Sequence, residues 1–354
     1  MREPSSTRTP TGDPGGRSSS AQAFPEDPIT DKPAAPAPEA PARKKPSKVR
    51  AGDRFFKNLT TGAGAFIVAL IALIGIFLVV QAIPALKADK ANFLFNHGWS
   101  TGDPANMSFG IADLAEVTVA TSVVALIIAM PVSLGIALFL TQYAPPRLAR
   151  PFAYVVDLLA AVPSIIFGLW GILVFAPAIE PFSQWVNTTF SWIPIFAPGN
   201  VAPNVRGTIF TAGIVLAVMI LPIITSLSRE VFERTPTAQI EGALALGATR
   251  WEVIRTTVLP FGKAGYIGAS MLGLGRALGE TIALAVILLV PQGRNFDWSL
   301  FDGGATFASK IAQNYSEFNN PTSAGAYIAA GLVLFVLTFL VNFAARSIVG
   351  KKLR

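Results

Sequence analysis

From residue 62 onward, apolar runs of about 20 residues alternate with polar connections. A helix of that length crosses about 30 Å of hydrocarbon at about 1.5 Å per residue. The runs predict six spans, over 62–83, 114–140, 152–176, 208–227, 264–290 and 324–349. The first is expected to end before Pro84, and Pro131, Pro163 and Pro222 fall inside later spans. Interior proline is tolerated in membrane helices because neighbouring groups satisfy the freed backbone. The predicted fold class is therefore an all-α integral membrane protein with six transmembrane helices.

Composition supports this reading. The chain has 354 residues, of which 52% are hydrophobic and only 14% charged, too apolar for an ordinary soluble domain. It has no cysteine, which excludes disulfides, thiolate metal sites and a cysteine nucleophile. A single histidine, His97, cannot build a histidine metal cluster, and it reads as a loop residue and not a ligand. No metal site is expected.

Residues 1–57 read as a cytoplasmic tail. Its first part is rich in Pro, Ser, Ala and Gly and is expected to be disordered. From Arg43 to Lys57 it carries seven basic residues against one acid, Asp53. This directly precedes the first apolar run and fits a positive-inside anchor that also touches anionic membrane lipid. The net charge of +7 does not point to nucleic acid, because most of it flanks the apolar runs.

Residues 58–354 read as a six-span domain. Arg147 and Arg150, then Arg229, Arg234, Arg250, Arg255 and Lys263, then Arg346, Lys351, Lys352 and Arg354 all fall on one side of the predicted topology. The opposite loops carry Asp103, Glu180, Asp297, Asp302 and Glu317. Both termini and the 229–263 loop are accordingly expected in the cytoplasm. The outer loops hold Trp99, Trp185, Trp192 and Trp298. These fit interfacial anchors, and they also fit a landing surface for another protein. Arg206 reads either as an interfacial arginine or as a charge that draws anions inward.

The 229–263 loop contains EGALALGATRWEVIRTTVLP, Glu241 to Pro260. Thr235 and Pro236 suit an N-cap and first helical residue, and Gly247 suits a left-handed C′ position. Thr249 and Glu252 have the spacing of a capping box that opens a second helix, with Pro260 closing it. This stretch resembles the EAA loop of ABC-importer permeases. Glu241, Ala243, Gly247, Leu259 and Pro260 match that pattern, whereas Gly242 and Thr257 depart from it. The resemblance implies docking on a separate ATPase. The chain has no GxxxxGK[ST] loop of its own, so it is expected to be a transport subunit and not an enzyme. It is expected to need no cofactor, with ATP used by the partner.

The fifth predicted span contains GLGRALGETIA from Gly273. Arg276 would lie roughly 18 Å deep, near the bilayer midplane, where a lone charge costs about 2.5–3.5 kcal/mol. Glu280 follows at i+4, on the same face of a continuous helix. An ion pair that locks the bundle is one reading. The other is an anion site, because the guanidinium fork matches tetrahedral oxyanions and stays charged. Gly273, Gly275 and Gly279 would admit a close neighbour. Pro163 and Ser164 interrupt the third span, either as a packing kink or as part of the path.

Gly275 to Thr281, Val162 to Gly171 and Ile311 to Asn314 are similar to the PstC-type permease subunits of phosphate ABC importers. The related PstA type carries a distinguishable version of the first motif. The resemblance covers residues 55–350. It implies a substrate path with Arg276, Glu280, Thr281 and Ser164, and ATPase coupling through Glu241, Ala243, Gly247, Leu259 and Pro260. It also implies a PstA-like second permease, two ATPase subunits, an extracytoplasmic phosphate-binding protein and a bacterial cytoplasmic membrane. The nearer alternative is an ABC permease for another oxyanion or solute. The further one is an ATP-independent secondary transporter.

Overall fold

A computed structural model describes residues 51–103, 106–291 and 296–351. The expectations for residues 1–50, and for Lys352 and Arg354, lie outside the described residues. Among the described residues the regular structure is helical apart from one two-strand ribbon, in which β1 (Trp99–Ser100) pairs antiparallel with β2 (Ser108–Phe109).

Among the described residues, five helical stretches are long and apolar enough to cross a membrane. α1 (Ala51–Ala88) takes in residues 51–57, which the sequence assigns to the tail, and it continues through Pro84 instead of stopping there. α2 (Ala112–Leu138) passes Pro131 and ends in a π-helical turn at Phe139–Tyr143.

The third predicted span is shifted. α3 (Pro146–Ala160) is a separate amphipathic helix that carries Arg147, Arg150 and Asp157. Its Asp157 accepts a hydrogen bond from Ser226 at 2.7 Å and pairs with Arg229 at 3.4 Å. The chain breaks at Pro163, whose missing N–H and ring disfavour continuation of α3. The membrane-length stretch comes after the break, as α4 (Ser164–Trp170), a π turn and α5 (Ala176–Thr189). Asp157, inside the predicted 152–176 span, is the sequence signal against it.

α6 (Ile209–Glu233) is the most enclosed span and sits between α2 and α9 (Leu259–Leu278). Val117, Ala125 and Ala129 of α2 share a core with Val215, Ile220 and Ile224 of α6 and Ala269 and Ala277 of α9. A Cβ added at Gly273 would lie 2.7 Å from Ile224, so glycine sets this close α6–α9 crossing. The outward faces of α1, α3, α4 and α12 (Pro321–Lys351) expose Phe77, Val155, Leu169 and Phe339, a surface suited to hydrocarbon and not to water.

The predicted fifth span is not one helix. α9 stops at Leu278, and a short α10 (Ile282–Ile287) follows. Gly279 to Thr281 form the break.

Candidate functional site

The break after α9 separates Arg276 from Glu280. Gly279 caps α9, with its N–H on the Gly275 carbonyl at 3.3 Å, and the Thr281 hydroxyl donates to the Gly279 carbonyl at 3.1 Å. Glu280 is only 7% exposed. Its Oε1 accepts the Ala283 N–H at 3.2 Å, so its charge lies on the first turn of α10. The expected i+4 pairing therefore fails, because the helix that would carry it ends between the two residues. The side chain of half-buried Arg276 forms no hydrogen bond or ion pair among the described residues. Gly275 is open to any neighbour, and Gly279 meets only its own helix.

The helix that follows the α3 break packs against the helix that follows the α9 break. A Cβ on Gly168 of α4 would lie 2.9 Å from the Ala283 Cα, and one on Gly171 would lie 2.9 Å from the Ile287 side chain. Contacts that advance together along both segments mean that α4 and α10 run parallel. Ser164, four residues before Gly168 in α4, shares the helix face that Gly168 turns toward α10. α11 (Phe307–Gln313) closes the other side, where the Gln313 amide donates to the Ala285 carbonyl at 2.9 Å. Three motifs far apart in sequence thus converge on α10.

The 229–263 loop is built from local signals. α7 (Thr237–Ala245) has Pro236 at its N-cap, one residue later than expected. Thr235 is buried and its hydroxyl makes no hydrogen bond. At the other end, Gly247 has φ +88. Its N–H reaches the Leu244 carbonyl at 2.9 Å, and Ala248 N–H reaches Ala243 at 3.1 Å, which is a Schellman ending. Thr249 then caps α8 (Arg250–Val253): Glu252 accepts the Thr249 N–H at 2.7 Å and returns its own N–H to the Thr249 hydroxyl. The Thr249 N–H foremost, and after it the Thr249 hydroxyl donating to the same carboxylate oxygen at 2.8 Å, hold the Glu252 carboxyl below its ordinary pKa.

Pro260 does not close the second helix. A π turn at Ile254–Val258 leads directly into α9, with Pro260 at its second residue. The coupling turn and the helix bearing Arg276 are therefore continuous. Val253, Ile254 and Val258 pack with Phe232 of α6 and Leu138 of α2, and Arg250 donates to the Gln142 carbonyl at 3.1 Å. Glu241 is exposed, and Leu246, at 90% exposure, projects with Leu244 and Trp251.

The outer loops carry further polar structure. Arg206 pairs with Glu180 of α5 at 2.5 Å, so its charge is compensated. Trp99 packs on Phe109 and Tyr327, whereas Trp185, Trp192 and Trp298 are exposed. The Asp302 carboxylate is buried among the N–H groups of Asn200, Asp297 and Ser299, and burial pushes its pKa up against those three bonds. His97, expected to be a plain loop residue, lies 2.5 Å from Asp113.

Membrane-length helices joined by a helix-turn-helix loop define a permease subunit of a binding-protein-dependent transport system. Residues 129–354 match the family described as "Binding-protein-dependent transport system inner membrane component", and the chain belongs to that family. It is 60% identical over 303 residues to "Phosphate transport system permease protein PstC 2" of Mycobacterium tuberculosis, covering 86% of this chain and 93% of that one. To the PstC of Mycobacterium leprae it is 56% identical over 301 residues, covering 85% and 94%. Its fold is similar to that of a chain in a bacterial ABC transporter involved in the import of the acidic polysaccharide alginate, with a TM-score of 0.51 at 15% identity. That match covers 84% of this chain and 99% of the other.

Proposed function

We propose that this chain is a membrane-spanning permease subunit of an ATP-driven phosphate importer. The observation that carries this is 60% identity, over most of both chains, to a phosphate transport permease. Arg276 is the anion-binding group, and Ser164 and Thr281 add hydroxyls where the two broken helices meet. Glu280 tunes the site through its charge. A fully ionised sulfate is disfavoured beside it, whereas hydrogen phosphate keeps a proton to donate.

α9 and α10 together make the fifth of six spans. The termini and the Glu241–Pro260 loop face the cytoplasm, a reading supported by the distribution of Arg and Lys. Exposed Leu244, Leu246 and Trp251 enter a groove on one of two ATPase subunits. A PstA-like permease completes the path, and a phosphate-binding protein lands on the outer loops near Trp185, Trp192 and Trp298. ATP-driven closure of the ATPases moves α7 and α8. The π turn passes that movement to α9, and the paired permeases switch the side on which Arg276 is open.

The test uses vesicles holding the assembled transporter, with ATP inside and binding protein outside. Phosphate uptake should require ATP and resist competition by sulfate. Gly247→Pro or Glu241→Lys should leave the chain in the membrane but abolish stimulation of the ATPase by the loaded binding protein. Unchanged stimulation would remove the docking role, and uptake without ATP would remove the importer reading.

A further inference from the structure

We propose that His97, Asp113 and Glu116 form a binding site for a divalent transition-metal ion. One ligand atom from each lies within 4.8 Å of the others. Asp113 and Glu116 are three residues apart at the start of α2 and share one face of it. The backbone pins His97 against that face. Gly110 N–H donates to the Gly98 carbonyl at 3.0 Å, Ile111 N–H to the Phe93 carbonyl at 2.9 Å, and Trp99 pairs with Phe109.

An ordinary ion pair between His97 and Asp113 does not explain Glu116. Its Oε2 is buried and has no hydrogen-bond partner, a costly state for a carboxylate oxygen. A cation beside His97 and Asp113 would satisfy it. Both of those residues also line a cavity of about 380 Å³, which leaves room for water ligands. Lys310 borders the same cavity, but its Nζ sits over the Trp99 ring, 5.6 Å from the centroid. One imidazole nitrogen with carboxylate oxygens suits Zn²⁺ or Mn²⁺; a soft Cu⁺ site would call for thiolates. Bound metal would clamp the loop at His97 to the head of α2.

The chain suits a direct test, because His97 is its one histidine and it has no cysteine. The full chain, purified through a histidine-free tag, would be titrated with Zn²⁺ and with Co²⁺. We expect one Zn²⁺ per chain and a Co²⁺ absorption band that Zn²⁺ abolishes. Affinity should fall at least tenfold in His97→Gln and in Glu116→Gln. His97 in the unaltered chain should be protected by Zn²⁺ from acylation with diethyl pyrocarbonate, a readout that needs no variant. Unprotected His97, or His97→Gln binding Zn²⁺ as tightly as the parent, would overturn the proposal. None of these readouts depends on transport.

Discussion

Gly168 of α4 lies so close to Ala283 of α10 that a Cβ on it would sit 2.9 Å from the Ala283 Cα. The obstacle is backbone, which has little room to yield. Gly168→Ala should therefore push α4 away from α10, at a cost of about 1–3 kcal/mol from overpacking. Thermal unfolding should register the loss, and uptake should fall even when the chain still reaches the membrane.

Two glycines of the coupling loop should respond in opposite ways. Gly247 has φ +88, so Gly247→Ala places a side chain in left-handed backbone at a cost of about 1–2 kcal/mol. Gly242 lies inside α7, and an added Cβ meets nothing within 4 Å. Gly242→Ala should stabilise α7 by up to about 1 kcal/mol and restore the residue found in the EAA pattern. Thermal unfolding separates the pair, and ATPase stimulation should drop only for Gly247→Ala.

Thr249→Ala removes the hydroxyl that caps α8. The expected cost is about 0.5–2 kcal/mol, felt locally. Hydrogen exchange should show faster exchange at Glu252 with the spans unchanged.

Glu317 ties the outer loop to α12. It accepts hydrogen bonds from Thr101 and Tyr327 at 2.7 Å and from Asn314 at 2.9 Å. Burial pushes its pKa up, but those bonds outweigh burial and leave it below the ordinary 4.5. A depressed folded-state pKa means the tether is complete above the unfolded value and weakens as pH falls through the folded one. Thermal stability should therefore decline below pH 4.5, and Glu317→Gln should flatten that decline while costing about 1 kcal/mol at neutral pH.

Features set by neighbouring residues were legible in the sequence. The Gly247 turn and the Thr249–Glu252 box depend on chain chemistry within a few residues, and both form as expected. Apolar runs located four spans closely, because hydropathy is additive along a helix. Breaks were harder to see. Pro84 and Pro260 leave their helices unbroken, whereas Gly279 ends α9 without any proline. Asp157 marked the third span as misplaced, but its pairing with Arg229 joins residues distant in sequence. The separation of Arg276 from Glu280, and the meeting of His97 with Asp113 and Glu116, follow from tertiary packing that periodicity does not encode.

The most direct test makes the Arg276→Gln change in the assembled transporter and follows labelled phosphate into vesicles. Arg276 has no partner among the described residues, so its loss should leave the fold and the membrane level intact. ATP-dependent uptake should fall at least about tenfold, equivalent to about 1.4 kcal/mol of lost anion binding. Uptake at the parental rate in that variant would contradict the anion-site reading and leave Arg276 a structural role only.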